Sequence, residues 1–382
     1  MTEVSVLSTS ERINRNIRVG ISIRHGMADE LAAFPPDGIE YCFPEPTRRR
    51  HRFIRSPLKS YLWEFAQEGE FDILEAVLSP VITSSPWVCS LDCFQSAVAF
   101  GFLKLPLPLS LRLQFVSRLF RDANCKKIIF WSEAARNTLV EYGRVRDSAI
   151  LEKTTIVYPA IREVPDEKIR YSHDGVHLLF SGDFFRKGGA NVVDVFEELL
   201  KQFPGIKLRI CCDEKIDFNT SNYELKAKYL NKIKSNSSIL FGRVTRSQMF
   251  EEILPDTDIY LLPTYTEAFG FAILEAMAFG IPVVATNQFA IPEILEHEQS
   301  GLLVDISQYD TQKMFRGYVV GDIQKDFRNH VNEQLKSCLE KLISSAELRK
   351  FIGTKARHVV RSKFSFAARN KVMSKIYFDA LK

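Results

Sequence analysis

The chain lacks a charge excess, a long apolar run and a paired-cysteine motif, and each absence removes a class of function. Its 51 Lys and Arg nearly balance 47 Asp and Glu, and a net charge of +4 is too small to argue for nucleic acid as a partner. No segment reads as a membrane span, because the most apolar stretch, Ala97 to Leu113, is broken by Lys104, Pro106 and Pro108. Met1 to Asn16 is polar and has no apolar core, so a frayed tail is expected rather than a signal peptide. The seven cysteines, an odd number, include no C-x-x-C pair, which predicts reduced thiols in a cytosolic setting. No internal repeat or low-complexity tract is visible. With 46% hydrophobic and 26% charged residues, the composition excludes disordered, collagen-like and disulfide-scaffold classes.

What is there is a globular chain of 382 residues, long enough for two cores of about 150 to 200 residues each. Short apolar runs alternate with helical patterns, the signature of parallel sheets wrapped by helices. Strands are predicted at Ile17 to Ile23, Gly38 to Cys42, Phe71 to Val77, Trp87 to Cys89, Lys127 to Trp131 and Thr155 to Tyr158. A helix from Glu133 to Tyr142 follows Ser132 as N-cap and closes at Gly143. Ile161 to Ser172 is charged and polar, which suits a linker. A second unit then opens with a strand at His177 to Ser181, an amphipathic helix from Ala190 to Gln202 and a strand at Lys207 to Cys212. Three helices end the chain, from about Asp326, Ala346 and Phe366. The expected organisation is an N-terminal domain over 1–163, a second domain over 164–365 and a terminal helix over 366–382.

The most informative segment runs from Leu261 to Val304. An apolar strand, Ile259 to Leu262, stops at Pro263, and a helix from Phe271 to Phe279 ends at Gly280-Ile281-Pro282. A helix entered just after Gly270 offers backbone N–H groups and a positive dipole end, where a diphosphate can sit. Two carboxylates, Glu267 and Glu275, flank that entrance. Carboxylates accept hydrogen bonds from vicinal hydroxyls and repel phosphate, so this grouping suits a ligand with hydroxyls on both sides of a diphosphate: a nucleoside diphosphate sugar. The bland alternative is that Glu267 complements the helix dipole and Glu275 is a solvated helix residue. Upstream, Gly182-Asp183-Phe184-Phe185-Arg186-Lys187-Gly188-Gly189 lies between a strand and a helix, where two cations can neutralise a diphosphate or simply form a solvated basic turn.

The run E-x-F-G-x-x-x-L-E-A-M-A-x-G-x-P-V-V-A-T, followed by Ile291-Pro292-Glu293-Ile294 and Gly301-Leu302-Leu303-Val304, resembles the donor-site signature of retaining glycosyltransferases of family 4. It departs at Ala268, where that family often has glycine. F-S-G-x-x-x-x-K-G around Gly182 resembles the family's diphosphate loop, and Ile128 to Ser132 with Ile156 to Pro159 resembles the end of its first domain. The resemblance implies an α/β chain of the GT-B fold: two Rossmann-like domains facing across a cleft, with the C-terminal helix returning to the first. It further implies that Arg186 and Lys187 hold the diphosphate, Glu275 the ribose hydroxyls, Glu267 the sugar, and the Phe269, Gly270 and Phe271 backbone the sugar or phosphate oxygens. The implied reaction moves a hexosyl unit, with retention and no metal ion or other cofactor, to a hydroxyl acceptor such as a glycan, lipid or small molecule. The donor's own phosphate would take the acceptor's proton.

Asp256-Thr257-Asp258 looks like a D-x-D metal motif, but it closes a helix and opens a strand, so a cap and a strand entry are expected. The family's acceptor-side histidine is absent; Ser90-Leu91-Asp92-Cys93 stands there, and Asp92 either hydrogen-bonds a hydroxyl or caps the next helix. His25-Gly26 stands where the family has a glycine-bearing loop against the diphosphate, and a plain turn is the alternative. Arg48 to Lys59 mixes six cations with aromatics, which suits a solvated loop and helix face, an acidic acceptor, or a peripheral contact with an anionic membrane, such as the inner face of the cell membrane. The missing histidine and glycines also leave room for a GT-B scaffold without catalysis, acting as a partner subunit.

Overall fold

The computed structural model describes residues 16–23, 28–46, 48–49, 63–65, 70–99, 108–170, 174–213, 222–309 and 323–382. The chain forms two compact units, Met1–Ala160 with Phe366–Lys382, and Ile161–Ser365.

In the first unit the strands β1 (Ile17–Ile21), β2 (Ile39–Cys42), β5 (Ile73–Val77), β7 (Trp87–Leu91), β8 (Cys125–Phe130) and β9 (Thr154–Ile156) form one parallel sheet, ordered β2-β1-β5-β7-β8-β9. Every residue of β5 and β7 is buried, as expected of inner strands covered on both faces. Three short strands, β3 (Arg48–Arg49), β4 (Trp63–Phe65) and β6 (Ile82–Thr83), make a separate sheet. Here the loop and helix face expected from the basic stretch is corrected: Arg48 and Arg49 pair antiparallel with Glu64 and Trp63, a non-local contact that local composition does not reveal. Arg50 to Lys59 lie outside the described residues.

The helix Phe366–Ala380 belongs to this unit, and Met373, Ile376 and Tyr377 pack with Val19, Ile73, Val88 and Ile129 of the sheet. A buried acid locks it in place. Glu75 on β5, 2% exposed, accepts from Ser90 Oγ at 2.5 Å and from the Tyr377 hydroxyl, with the Arg369 guanidinium 4.0 Å away. Burial alone would disfavour that carboxylate, and these donors offset the loss of water.

The second unit is a parallel sheet of β10 (Val176–Ser181), β11 (Ile206–Cys211), β12 (Ile239–Phe241), β13 (Ile259–Leu262), β14 (Val283–Thr286) and β15 (Leu302–Val304), ordered β12-β11-β10-β13-β14-β15. The helix Gly189–Gln202 buries Val192, Val193, Val195, Phe196 and Leu199 against it. Between β12 and β13 the chain runs through a short turn of α-helix, Arg246–Gln248, a π-helical turn, Met249–Ile253, and a 3-10 turn, Leu254–Asp256. Pro255 lacks an N–H and cannot continue a regular α-helix there.

The strand order decides where a site can form. From β10 the chain moves outward through β11 and β12, then returns to place β13 on the other side of β10. The connections leaving β10 and β13 therefore lead to strands on opposite sides, and the carboxyl ends of these two strands are a topological switch point, where a crevice forms.

Candidate functional site

Two glycines let the loops at this crevice touch. Gly182, at φ +113°, turns the chain out of β10. Gly188, at φ +83°, begins the helix Gly189–Gln202, and a Cβ on it would lie 2.1 Å from the Pro263 carbonyl oxygen. Only glycine tolerates both the left-handed backbone and that approach. The loops are then joined by a hydrogen bond from Tyr265 N to Arg186 O at 3.1 Å.

Lys187 bridges the same gap, donating to Thr266 O at 2.9 Å and to Glu267 Oε2 at 2.7 Å. Both side chains are mostly enclosed, at 15% and 14% exposure, so the pair is poorly screened by solvent. Glu267 Oε1 accepts from Ala268 N at 3.0 Å and Phe269 N at 3.4 Å, while Glu267 N donates to Oε1 of the buried Gln288 at 3.1 Å. The Arg186 guanidinium is ion-paired with Asp183 in its own loop. Both cations of the sequence motif thus stand at the crevice with acidic neighbours rather than as a bare basic turn.

The departure at Ala268 has a structural reason. The loop takes its positive φ at Gly270, +114°, and Ala268 does not adopt one. Gly270 opens the helix Phe271–Ala278, whose Ile273 and Leu274 N–H groups turn back to the Gly270 carbonyl. Phe269 is buried, its ring packed against Phe271 and Phe364 at centroid distances of 5.5 and 6.2 Å, so only its backbone is offered to a ligand.

On this helix Phe271, Ala272 and Glu275 are the residues not buried, as spacings of three and four dictate. Glu275 Oε1 accepts from Arg246 Nη1 at 2.8 Å. Arg246 was not singled out in the sequence, where the only signal was its place in the T-R-S-Q capping box after β12. Beneath the crevice the Tyr260 hydroxyl shares a 2.7 Å hydrogen bond with Ser181 Oγ. Burial pushes the Tyr260 phenol well above its ordinary range, and the charges of Glu275 and Glu267 add to the rise.

Asp92 follows β7 in the first unit and does not cap the next helix: Cys93 holds the N-cap position without a side-chain bond, and Asp92 Oδ1 is buried with no hydrogen-bond partner among the described residues. The cap expectation is thereby corrected, because the Asp92 side chain is one residue too early to reach the first turn's N–H groups. His25 and Gly26 lie outside the described residues. Asp258 Oδ2 accepts from His177 N at 2.8 Å, and Asp256 meets His177 Nδ1 through its carbonyl at 3.0 Å and its carboxylate at 3.2 Å, so the triplet ties β13 to β10. Among the described residues no three His, Cys, Asp or Glu are grouped to hold a metal ion. No described helix is long and apolar enough to cross a membrane. All seven cysteines are free thiols, six of them buried.

Residues 163–314 match the family model for glycosyl transferases group 1. An uncharacterized glycosyltransferase of Haemophilus influenzae is 26% identical over 195 residues, 50% of each chain. A D-inositol 3-phosphate glycosyltransferase of Pseudarthrobacter chlorophenolicus is 31% identical over 130 residues, 34% of this chain and 30% of that one. The chain spans about half the length of the first of these curated relatives, or less. Among solved structures, HepE of Anabaena in complex with UDP and glucose superposes with a TM-score of 0.58 at 16% identity, over 94% of this chain and 91% of that one. The lipopolysaccharide glycosyltransferase WaaG gives a TM-score of 0.56 at 16% identity, over 94% and 99%. The fold is GT-B, with two Rossmann-like units and the terminal helix returned to the first.

Proposed function

We propose, taking the group 1 glycosyltransferase match over residues 163–314 as premise, that the chain transfers a glycosyl unit from a nucleoside diphosphate sugar to a hydroxyl acceptor. The observation that carries the reading is the Lys187 to Glu267 pair at the switch point, 2.7 Å apart. It sets a cation suited to a diphosphate beside a carboxylate suited to hydroxyls, in a crevice that strand order alone opens.

In this reading Lys187 and Arg186 neutralise the leaving diphosphate, aided by the dipole of the helix entered at Gly270. Glu275 accepts from the ribose hydroxyls and Glu267 from a hydroxyl of the sugar. The transferred unit is a hexosyl group, the anomeric configuration is retained, and the donor phosphate takes the acceptor proton on the same face. These cations supply the charge compensation for departure of the nucleotide, so no resident metal is assigned. The acceptor is a glycan, a lipid or a small molecule, and contact of Arg48 to Lys59 with an anionic membrane would suit a lipid-linked one.

A panel of UDP, GDP and ADP sugars, assayed for hydrolysis and transfer with the product anomer read by NMR, tests the proposal. Release of nucleotide from at least one donor, with an axial-to-axial or equatorial-to-equatorial product, is expected. A protein that binds nucleoside diphosphate yet turns over none of the panel would instead be a catalytically silent scaffold. Flotation with anionic but not neutral vesicles, reversed by salt, is the expected outcome if the membrane contact holds.

A further inference from the structure

Arg246 occupies an unusually well-defined place for a half-exposed arginine. The capping box fixes the start of its helix: Gln248 N donates to Thr245 Oγ1 at 3.2 Å and Thr245 N to Gln248 Oε1 at 3.0 Å. Four residues on, within the π-helical turn Met249–Ile253, the buried ring of Phe250 lies 4.8 Å below the Arg246 guanidinium. Arg162 sets a second guanidinium 4.5 Å from the same ring, and Phe279 packs edge-on against it at 5.9 Å. Residues four apart share a helix face, and this spacing sets Phe250 under Arg246. From this platform Arg246 Nη1 reaches Glu275 Oε1 at 2.8 Å across 29 residues of sequence.

Stability does not account for the pair. Arg246 is 46% exposed against 15% for Glu275, and a pair of that exposure is screened by water and contributes little. Its geometric effect is larger: the guanidinium holds one carboxylate oxygen in place. A carboxylate has about four acceptor positions, so one guanidinium bond does not exclude two vicinal hydroxyls.

We propose that Arg246 is a positioning residue for nucleotide binding, orienting the Glu275 carboxylate toward the ribose hydroxyls. The inference rests on the assignment of Glu275 to the nucleoside. It predicts that Arg246 matters to nucleotide affinity only while Glu275 is a carboxylate.

The test is a double-mutant cycle on the full chain. UDP, GDP and ADP are titrated by calorimetry and the tightest is carried through Arg246→Ala, Glu275→Gln and the double variant, with melting temperatures measured alongside. Arg246→Ala should weaken binding by roughly three- to tenfold with little change in melting temperature. In the Glu275→Gln background the same change should weaken it by less than about twofold. In the donor assay KM should rise while kcat stays near the parent value, because the contact is present in ground and transition states alike. An equal loss in both backgrounds, or none in either, overturns the role of Arg246 while leaving the function intact. Parental affinity in Glu275→Gln, or no binding of any nucleotide, overturns the nucleoside assignment and this inference with it.

Discussion

Lys187 Nζ lies 2.7 Å from Glu267 Oε2, although the two residues are 80 positions apart. Each therefore sets the other's charge environment, and under the proposed assignment removing the cation would do two things: delete a donor to the diphosphate and leave a carboxylate beside it. Lys187→Ala is expected to lower nucleoside diphosphate affinity by about ten- to a hundredfold. Lys187→Ala with Glu267→Gln should recover part of that loss, since the unpaired carboxylate is gone. Calorimetry on the two variants checks this, and identical affinities would mean that Glu267 exerts no repulsion.

Glu267 and Glu275 should separate by ligand. Glu275→Gln is expected to weaken free nucleotide and whole donor alike. Glu267→Gln should leave nucleotide affinity nearly intact and lower turnover, because a sugar contact exists only when a sugar is bound. Both variants need a melting curve, because Glu267 also holds the N–H groups of Ala268 and Phe269. If folded Glu267→Gln binds nucleotide as poorly as Glu275→Gln, the division of roles is wrong.

Gly188→Ala should be disruptive and Gly205→Ala harmless. The first adds a Cβ 2.1 Å from Pro263 O at φ +83°, while a Cβ on Gly205 meets nothing within 4 Å. The strained φ alone contributes about 1–3 kcal/mol, so Gly188→Ala should lower the melting midpoint by at least roughly 2 °C. Gly205→Ala should stay within about 0.5 kcal/mol of the parent. Equal midpoints would show that the two loops can move apart without penalty.

In the first unit, Tyr377→Phe should lower stability by about 1–3 kcal/mol, because it removes a donor from the buried Glu75 while keeping the ring. Urea unfolding followed by fluorescence reads this directly. A chain ending at Ser365 should fare worse, since it also strips Met373, Ile376 and Tyr377 from the apolar cluster on the sheet. A soluble, cooperatively unfolding truncation would contradict that account.

Much of this protein was legible before any coordinates. Most strands of the two six-stranded sheets are short, largely apolar runs of three to six residues, and such patterns report local structure directly. Helix Glu133–Glu141 starts where Ser132 predicted, with Ala135 N donating to Ser132 Oγ at 3.0 Å. The donor-loop candidates were legible for the same reason: Glu267, Gly270 and Glu275 lie within nine consecutive positions of one strand-loop-helix unit. Asp92 failed as a cap because one residue of offset, invisible in sequence, decides which side chain faces the first turn. Arg48 and Arg49 failed as a loop because strand pairing is decided by a distant partner.

The sequence by itself determined the elements, their amphipathic faces, and which residues carry charge near a helix entrance, because each depends on neighbours within about one turn or one pleat. Only the tertiary structure decided which of those charges meet. Lys187 reaches Glu267 because β13 returns to pair with β10 rather than with β12, and Arg246 reaches Glu275 because the turn after β12 and the helix after Gly270 are brought side by side. Glu75 is tolerable in a core because Tyr377, 302 residues later, joins Ser90 and Arg369 around it. Strand order and long-range return are set by the burial of whole faces, a property summed over the chain, so no local window of sequence contains them.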